Sequence, residues 1–267
     1  MPSNTPTVAE IDPTPAITML DLPISVQRHI LRYLDFPSLM TLRCLNRNLL
    51  ILGTAELKSN LHELLRHYLA NPDDFVEHMK NTYAYIGGHV ALEWFQRVQK
   101  LSTQPLQLFT PRHSFTSLII HLQKRQCLNL IGFSDCVPQN AGFTTSARLS
   151  GPFTEIIVYR SSDDSPLTPL VRGACTALMC YIGAHRYGVL WPRLTFAHRG
   201  LVSQADIEDP DYNSTIGLGD FDFKLFPWMW PEYSEKQTCL RQHFLCPSQP
   251  RFLDDNDWIH VRVTGHA

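Results

Sequence analysis

Residues 20–50 constrain the fold most, because they contain three short leucine-rich segments that are separated by helix-breaking residues. Pro23 and Pro37 each stand at the head of an apolar run. Proline is well tolerated in the first turn of a helix, where its missing N–H is not needed. The polar sequence Asn46-Arg47-Asn48 indicates a turn into the third segment. The sequence therefore predicts a compact block of short helices.

Apolar side chains in this block recur at helical spacing, so they fall on one face of each predicted helix. They are Val26, Ile30, Leu31 and Leu34 in the first helix, and Leu39, Leu42 and Leu45 in the second. Gly53 and Thr54 then predict a helix stop and a new N-cap, followed by a long amphipathic helix from Leu57 to Leu69. A bundle this small buries little apolar surface, so we expect it to pack against a neighbour or a partner.

The stretch "LPISVQRHILRYLDFPSLMTLRCLNRNL" resembles an F-box, and the resemblance covers roughly residues 18–55. The matching positions are Leu22-Pro23, Val26, Ile30-Leu31, Leu34-Asp35, Leu39, Leu42-Arg43 and Leu45-Asn46-Arg47. The chain departs from the family at Ser25, where an acidic residue is common, and at Leu49, which replaces a late tryptophan. Order, spacing and N-terminal location all agree with the family.

This resemblance implies a docking role. F-box proteins bind the adaptor subunit of a cullin-RING ubiquitin ligase through this block, and the rest of their chain recruits a protein target. The adaptor would complete the apolar surface of the block. The residues expected to contact it are Leu22, Pro23, Val26, Ile30, Leu31, Leu34, Leu39 and Leu42. No cofactor is expected for this role.

The chain downstream of the block mixes helix and strand patterns, which favours an α+β fold overall. Asn71-Pro72 has the chemistry of a helix start, and the segments "TYAYI", "LQLFTP", "TEIIVYR", "YGVLWPRLTF" and "DWIHVRVTG" have strand patterns. The predicted organisation is a disordered tail (1–17), a small all-helical F-box (18–55), a connecting helix (56–70) and a larger α/β recognition domain (71–267).

The order strand, Gly87-Gly88, helix, strand resembles the opening of the nucleotidyltransferase fold. In that family the second strand carries an acid-x-acid pair that holds two Mg²⁺ ions against the nucleotide phosphates. Pro105 and Gln107 stand at those two positions here, and neither can act as an anionic Mg²⁺ ligand. Fungal proteins that combine an F-box with a degenerate domain of this kind have similar later segments.

The resemblance implies that Gly87, Gly88 and Gln107 are the remnant of a nucleotide site that has lost its metal. The alternative is a turn that lets a helix pack close to a strand, and the sequence leaves both open.

Two further groups of residues could carry metal chemistry. Asp220 and Asp222 would place two carboxylates on one side of a strand, although a solvated loop is the plainer interpretation. Cys239, His243 and Cys246 could supply three zinc ligands, but their spacing is not that of a standard zinc motif. We therefore expect no metal site.

Some remaining residues have structural interpretations. His185 and His198 flank an apolar stretch and are expected to be hydrogen-bonded structural histidines. The segment "FPWMWPEY" could be an exposed recognition loop, since Trp and Tyr dominate binding hot spots, or a lid folded onto the core.

Composition excludes several classes of partner. The formal net charge is −2, so nucleic acid and anionic membranes are not expected partners. The chain has no apolar run long enough to span a bilayer. Its seven cysteines follow no disulfide spacing, which indicates reduced thiols in the cytoplasm or nucleus.

These patterns favour a substrate receptor of a cullin-RING ligase, without enzymatic activity of its own. The alternative is a metal-dependent nucleotidyltransferase that uses Asp220 and Asp222. A third possibility is a structural protein with a helical cap and neither role.

Overall fold

The computed structural model describes residues 18–97, 104–135, 142–151, 154–173, 175–202, 218–227 and 259–262. The predicted disordered tail, residues 1–17, lies outside this part of the chain. Among the described residues, no helix combines the length and the apolar character needed to cross a membrane.

A helical block precedes a larger sheet-containing region, as the sequence predicts. The helices are α1 (Ile24–Tyr33), α2 (Phe36–Arg43), α3 (Arg47–Leu65), α4 (Pro72–Thr82), α5 (Gly88–Gln96), α6 (Phe115–Arg125), α7 (Thr168–Val171) and α8 (Pro192–Thr195). The strands are β1 (Tyr85–Gly87), β2 (Leu106–Thr110), β3 (Asn129–Asp135), β4 (Phe143–Ser150), β5 (Glu155–Ser161), β6 (Cys180–Ile182), β7 (Arg186–Val189), β8 (Arg199–Val202), β9 (Lys224–Pro227) and β10 (Ile259–Arg262). Short 3₁₀ helices span Met19–Asp21, Thr176–Leu178 and Leu218–Phe221.

The chain divides into two compact units, residues 1–56 (unit 1) and 57–267 (unit 2). Unit 1 holds α1, α2 and the first part of α3 around a small apolar interior. The interior side chains are Leu31, Phe36, Leu39 and Leu49. The carboxylate of Asp35 caps α2 by accepting a hydrogen bond from the backbone N–H of Ser38 at 2.8 Å. Pro37 is the second residue of α2 rather than the first, because Phe36 is already helical.

Helix α3 is continuous through Gly53 and Thr54, so the predicted stop and new N-cap are wrong. Gly53 serves close packing, since a Cβ at this position would lie 2.5 Å from Cγ of Arg43. The Thr54 hydroxyl donates a hydrogen bond to the Leu50 carbonyl at 2.6 Å, within the helix. The helix also ends at Leu65, before the predicted end.

Helix α4 begins where the sequence predicts. Oδ1 of Asn71 accepts a hydrogen bond from the backbone N–H of Asp74 at 3.2 Å, and Pro72 is the first helical residue. The buried side chain of Gln126 holds the backbone of Asn71 on both sides. Its Oε1 accepts from the Asn71 N–H at 2.8 Å, and its Nε2 donates to the Asn71 carbonyl at 3.0 Å.

The main sheet of unit 2 has the described strand order β10-β7-β6-β1-β2-β5-β4-β3. Strand β1 is antiparallel to β2 and β6, whereas β2 is parallel to β5. Helix α5 connects β1 to β2, which confirms the predicted order of strand, Gly-Gly, helix and strand. The central strands are buried on the face that carries Leu106, Leu108, Ile156 and Val158.

Strands β3 and β4 are not predicted by the sequence pattern. The side chains of β3 are exposed or half-buried, and even Ile131 and Phe133 are exposed. In β4 the alternation is short, with Ala147 and Leu149 buried on either side of the exposed Arg148. A β-bulge between Leu130 and Gly132 shifts the register of β3 against β4. Pairing of β4 with the buried strand β5 holds these strands in place.

In unit 2 the half-buried His78 of α4 stacks on the buried His121 of α6, with ring centroids 3.9 Å apart and planes 10° from parallel. Burial and the neighbouring His78 lower the pKa of His121 to about 4. Burial also lowers the pKa of His78. The folded protein therefore keeps both rings neutral at a pH where the unfolded chain binds protons.

We expect the free energy of unfolding to decrease as the pH falls from about 6.5 to about 4. Over this range the unfolded chain binds more protons than the folded chain, so acid favours unfolding, by at most about 1.4 kcal/mol per pH unit for each histidine. Urea unfolding at several pH values measures this slope.

The variant His121→Phe keeps a flat ring against His78 and cannot be protonated, so its slope should be shallower. His113→Gln, which changes an exposed histidine of the same unit, is the matched control and should keep the wild-type slope. An unchanged slope in His121→Phe would show that the stacked pair does not determine the acid sensitivity.

Candidate functional site

Helix α1 presents two different faces. Gln27 and Leu31 lie on the buried face, whereas Val26, Ile30 and Tyr33 follow helical spacing on a face that is exposed. Val26 is 41% exposed and Ile30 is 36% exposed, so apolar surface remains uncovered. Unit 1 also exposes other large apolar side chains, namely Leu20, Ile24, Leu45, Leu50 and Ile51.

The buried amide of Gln27 fixes the segment that leads into α1. Its Nε2 donates hydrogen bonds to the backbone carbonyls of Leu22 at 2.7 Å and Leu20 at 3.2 Å. This places Leu22 and Pro23 at the head of the exposed α1 face. The apolar pattern does not identify Gln27, whose only signal in the sequence is its spacing of four residues from the buried Leu31.

A local carboxylate contact completes the start of unit 1. The Asp21 carboxylate accepts hydrogen bonds from the Thr18 hydroxyl at 2.7 Å and from the Thr18 backbone N–H at 2.8 Å. The hydroxyl hydrogen bond, followed by the backbone one, lowers the pKa of the Asp21 carboxyl. The segment before α1 therefore has a defined conformation.

The predicted adaptor-binding residues fall into three groups. Pro23, Val26 and Ile30 are exposed, and Leu22, Leu34 and Leu42 are half-buried. Leu31 and Leu39 are 0% exposed, which corrects their expected role. A side chain with no accessible surface cannot contact an external partner directly, so these two leucines act as interior supports of the exposed face.

The Gly87-Gly88 turn in unit 2 is a point of close packing. Gly87 pairs with Gln107 across β1 and β2. Gly88 has φ +64°, and a Cβ there would collide with Oε1 of Gln107. A Cβ on Gly87 would lie 2.5 Å from the Phe109 ring. These contacts explain why glycine is needed at both positions. They agree with the alternative to a nucleotide-site remnant, namely a turn that lets a helix pack close to a strand.

The Asp220 and Asp222 pair does not lie on one side of a strand, so that expectation is wrong. Asp220 belongs to the 3₁₀ helix Leu218–Phe221, and Asp222 follows in a turn with φ 55°. Asp222 is exposed. The turn precedes β9, which pairs in parallel with β8 in a separate two-stranded sheet. This local geometry does not form an acid-x-acid strand.

The other candidate residues give no metal centre within the described part of the chain, where no group of three or more His, Cys, Asp and Glu side chains is placed to hold an ion. Nδ1 of His198 donates to the Phe221 carbonyl at 2.9 Å, which is the structural role expected of it. His185 is exposed in the turn between β6 and β7. Cys239, His243 and Cys246 lie outside the described residues, as does most of "FPWMWPEY".

Comparison with known families identifies an F-box domain at residues 19–52. F-box domains bind the adaptor subunit of cullin complexes, and in general they belong to the substrate receptors of such ligases. No curated protein matches the chain. These comparisons do not support the resemblance of the downstream region to nucleotidyltransferases or to fungal proteins of that kind, so it stays a hypothesis.

Substituting Gly88 by alanine should destabilise unit 2 by about 1–2 kcal/mol, because the left-handed backbone strains any L-residue and Gln107 occupies the space. The matched control is Gly132→Ala, because no atom lies within 4 Å of a Cβ built there. That change should alter stability by less than about 0.5 kcal/mol. Urea unfolding of both variants tests the difference, and equal effects would contradict the packing role of Gly88.

We expect no Mg²⁺-dependent nucleotide binding at the Gly-Gly turn. The amide of Gln107 and the ring of Pro105 occupy the positions where the nucleotidyltransferase fold keeps carboxylates, and Mg²⁺ prefers anionic oxygen ligands. Isothermal titration of the full chain with Mg²⁺-ATP measures this. Tight binding that is lost in Gln107→Ala would establish a nucleotide site and overturn the expectation.

Proposed function

We propose that this chain is a substrate-recognition subunit of a cullin-RING ubiquitin ligase in the cytoplasm or nucleus. Unit 1 binds the ligase adaptor, and unit 2 binds a target protein. The F-box match at residues 19–52 is the observation that carries the proposal. The exposed apolar face of α1 within that segment supplies the physical basis for docking.

The exposed face is suited to a protein partner rather than to water. Val26 and Ile30 lie one helical turn apart, and Pro23 precedes them at the N-cap of α1. Covering this apolar surface stabilises a complex by about 25 cal/mol for each Å² buried. A partner helix with an apolar face would remove it from water.

Residues beneath this face determine its shape. Leu31 and Leu39 fill the interior of unit 1, and Gln27 holds the segment that carries Leu22 and Pro23. The adaptor contacts are therefore assigned to the exposed and half-buried residues, with the buried leucines and the glutamine as their support.

Recognition of the target is assigned to unit 2, without catalysis by this chain. The absence of activity is part of the proposal, and the geometry of Gln107 and Asp222 supports it. Gln107 places a neutral amide against Gly88, and Asp222 lies in an exposed turn rather than on a strand. Neither arrangement provides the paired carboxylates that metal-dependent nucleotidyl transfer needs.

The variant Val26→Ser/Ile30→Ser should bind the adaptor at least about tenfold more weakly than wild type, because it removes two apolar side chains from the face. Both residues are exposed, so the fold of unit 1 should persist. Retention of purified adaptor by the tagged full-length chain measures the change.

The matched control is Ile131→Ser/Phe133→Ser, which removes two exposed apolar side chains from β3 of unit 2. This control should retain the adaptor as wild type does. The proposal fails if the wild-type chain does not retain the adaptor at micromolar concentrations. It also fails if both double variants lose binding equally, because the contact would then not be specific to α1.

A further inference from the structure

The segment before α1 has a conformation that a turn of its length does not hold alone. Residues Met19–Asp21 form a 3₁₀ turn, which is closed by two backbone hydrogen bonds of 3.1 and 3.3 Å. Leu22 and Pro23 follow with ψ of 152° and 143°, so the chain is extended as it enters α1. One turn of 3₁₀ helix is marginal in water, because its few hydrogen bonds do not offset the lost backbone entropy. The conformation of this segment therefore depends on side-chain contacts.

The same segment carries apolar surface that is open to a partner. Leu20 is 39% exposed, Pro23 is exposed and Leu22 is half-buried. Pro23 lies three residues before Val26 and seven before Ile30, so the exposed face of α1 continues into this segment at the head of the helix. The apolar surface of unit 1 at this point therefore has two parts, one on the helix and one on the segment that precedes it.

Two side-chain contacts hold the segment, one in water and one buried. The contact between the Asp21 carboxylate and Thr18 is exposed, so water competes for the same groups. The other contact comes from Gln27, which is only 6% exposed. Its Nε2 donates to the carbonyl of Leu22 at 2.7 Å and to that of Leu20 at 3.2 Å. Because the buried contact is shielded from water, it contributes more to the conformation of the segment.

The Gln27 amide acts on this segment as a donor only. Within the described part of the chain, its buried Oε1 accepts no hydrogen bond. Both N–H groups of Nε2 are directed at carbonyls that stand on either side of Asp21, so the amide fixes the chain at two points. An apolar side chain of the same length would fill the same space, but it would leave both carbonyls without this donor.

We propose that Gln27 is a positioning residue for adaptor binding, and that residues 20–23, which it holds, form the second part of the docking surface beside the α1 face. Gln27 is buried, so it acts on the adaptor through Leu22 and Pro23 rather than by contact. This inference rests on the proposed function, because it concerns how the adaptor is bound. A segment that samples other conformations presents Leu22 and Pro23 for only part of the time, and the apparent affinity is reduced by that fraction.

The first test uses the free full-length chain. The variant Gln27→Met keeps an unbranched side chain of similar length and removes both N–H donors. Hydrogen–deuterium exchange, read by mass spectrometry on the peptide that covers residues 18–24, should be at least about fivefold faster in this variant, while α2 exchanges as in wild type. The matched control is Gln123→Met, which makes the same change at an exposed position of α6 and should leave both regions unchanged.

The second test measures adaptor affinity in a double-mutant cycle. Gln27→Met should weaken adaptor binding by at least about fivefold in the wild-type background. In the background Leu22→Ala/Pro23→Ala the same change should have an effect of less than about twofold, because the side chains that Gln27 positions are already missing. A general loss of stability would lower the affinity by the same factor in both backgrounds. If the double background binds too weakly to measure, Leu22→Ala alone replaces it, and the effect of Gln27→Met should again be smaller than in wild type.

The proposal is overturned if exchange of residues 18–24 is unchanged in Gln27→Met, or if α2 is accelerated equally. It is also overturned if Gln27→Met leaves adaptor affinity unchanged or lowers it equally in both backgrounds. When the wild-type chain retains the adaptor, these results refute only the role of Gln27. A wild-type chain that does not retain the adaptor refutes the proposed function, and the positioning role in adaptor binding fails with it.

Discussion

Unit 1 depends on how α1 packs. The interior of a block this small has room for the side chains of only one face of α1. Leu31 fills that interior together with Phe36 and Leu39, and the face with Val26 and Ile30 remains in water. A larger domain would cover both faces with its own chain. The small size that limits the stability of unit 1 is thus also what leaves an apolar face free for a partner.

The sequence predicts unit 1 well where local chemistry decides the structure. Pro23 and Pro37 mark the starts of α1 and α2 to within one residue. The resemblance of this segment to an F-box agrees with the family match at residues 19–52. The sequence wrongly predicts a helix end at Gly53. A glycine that ends a helix and a glycine inside a helix that leaves room for a neighbouring side chain, here Arg43, look alike in sequence. The hydrogen bonds of Gln27 to Leu20 and Leu22 depend on how the segment before α1 folds back, so residue spacing alone did not reveal them.

In unit 2 the sequence predicts the buried strands and the Gly-Gly turn, since apolar runs and paired glycines are strong local signals. It does not predict β3 and β4, because β3 has no buried side chain and the buried face of β4 is limited to Ala147 and Leu149. Strand β4 pairs with β5, and β3 pairs with β4. Asp220 and Asp222 do not form an acid-x-acid strand, because their segment turns instead of extending.

The bulge in β3 has a consequence for how the protein behaves at high concentration. Within the described residues β3 is the last strand of the main sheet, and it carries the exposed side chains of Ile131 and Phe133. A regular apolar edge of this kind would template pairing with the same edge of another molecule. The displaced register between Leu130 and Gly132 interrupts the row of hydrogen-bonding groups, so it shortens the continuous ladder that two molecules could share. The bulge thereby limits the length of sheet edge that another molecule could extend.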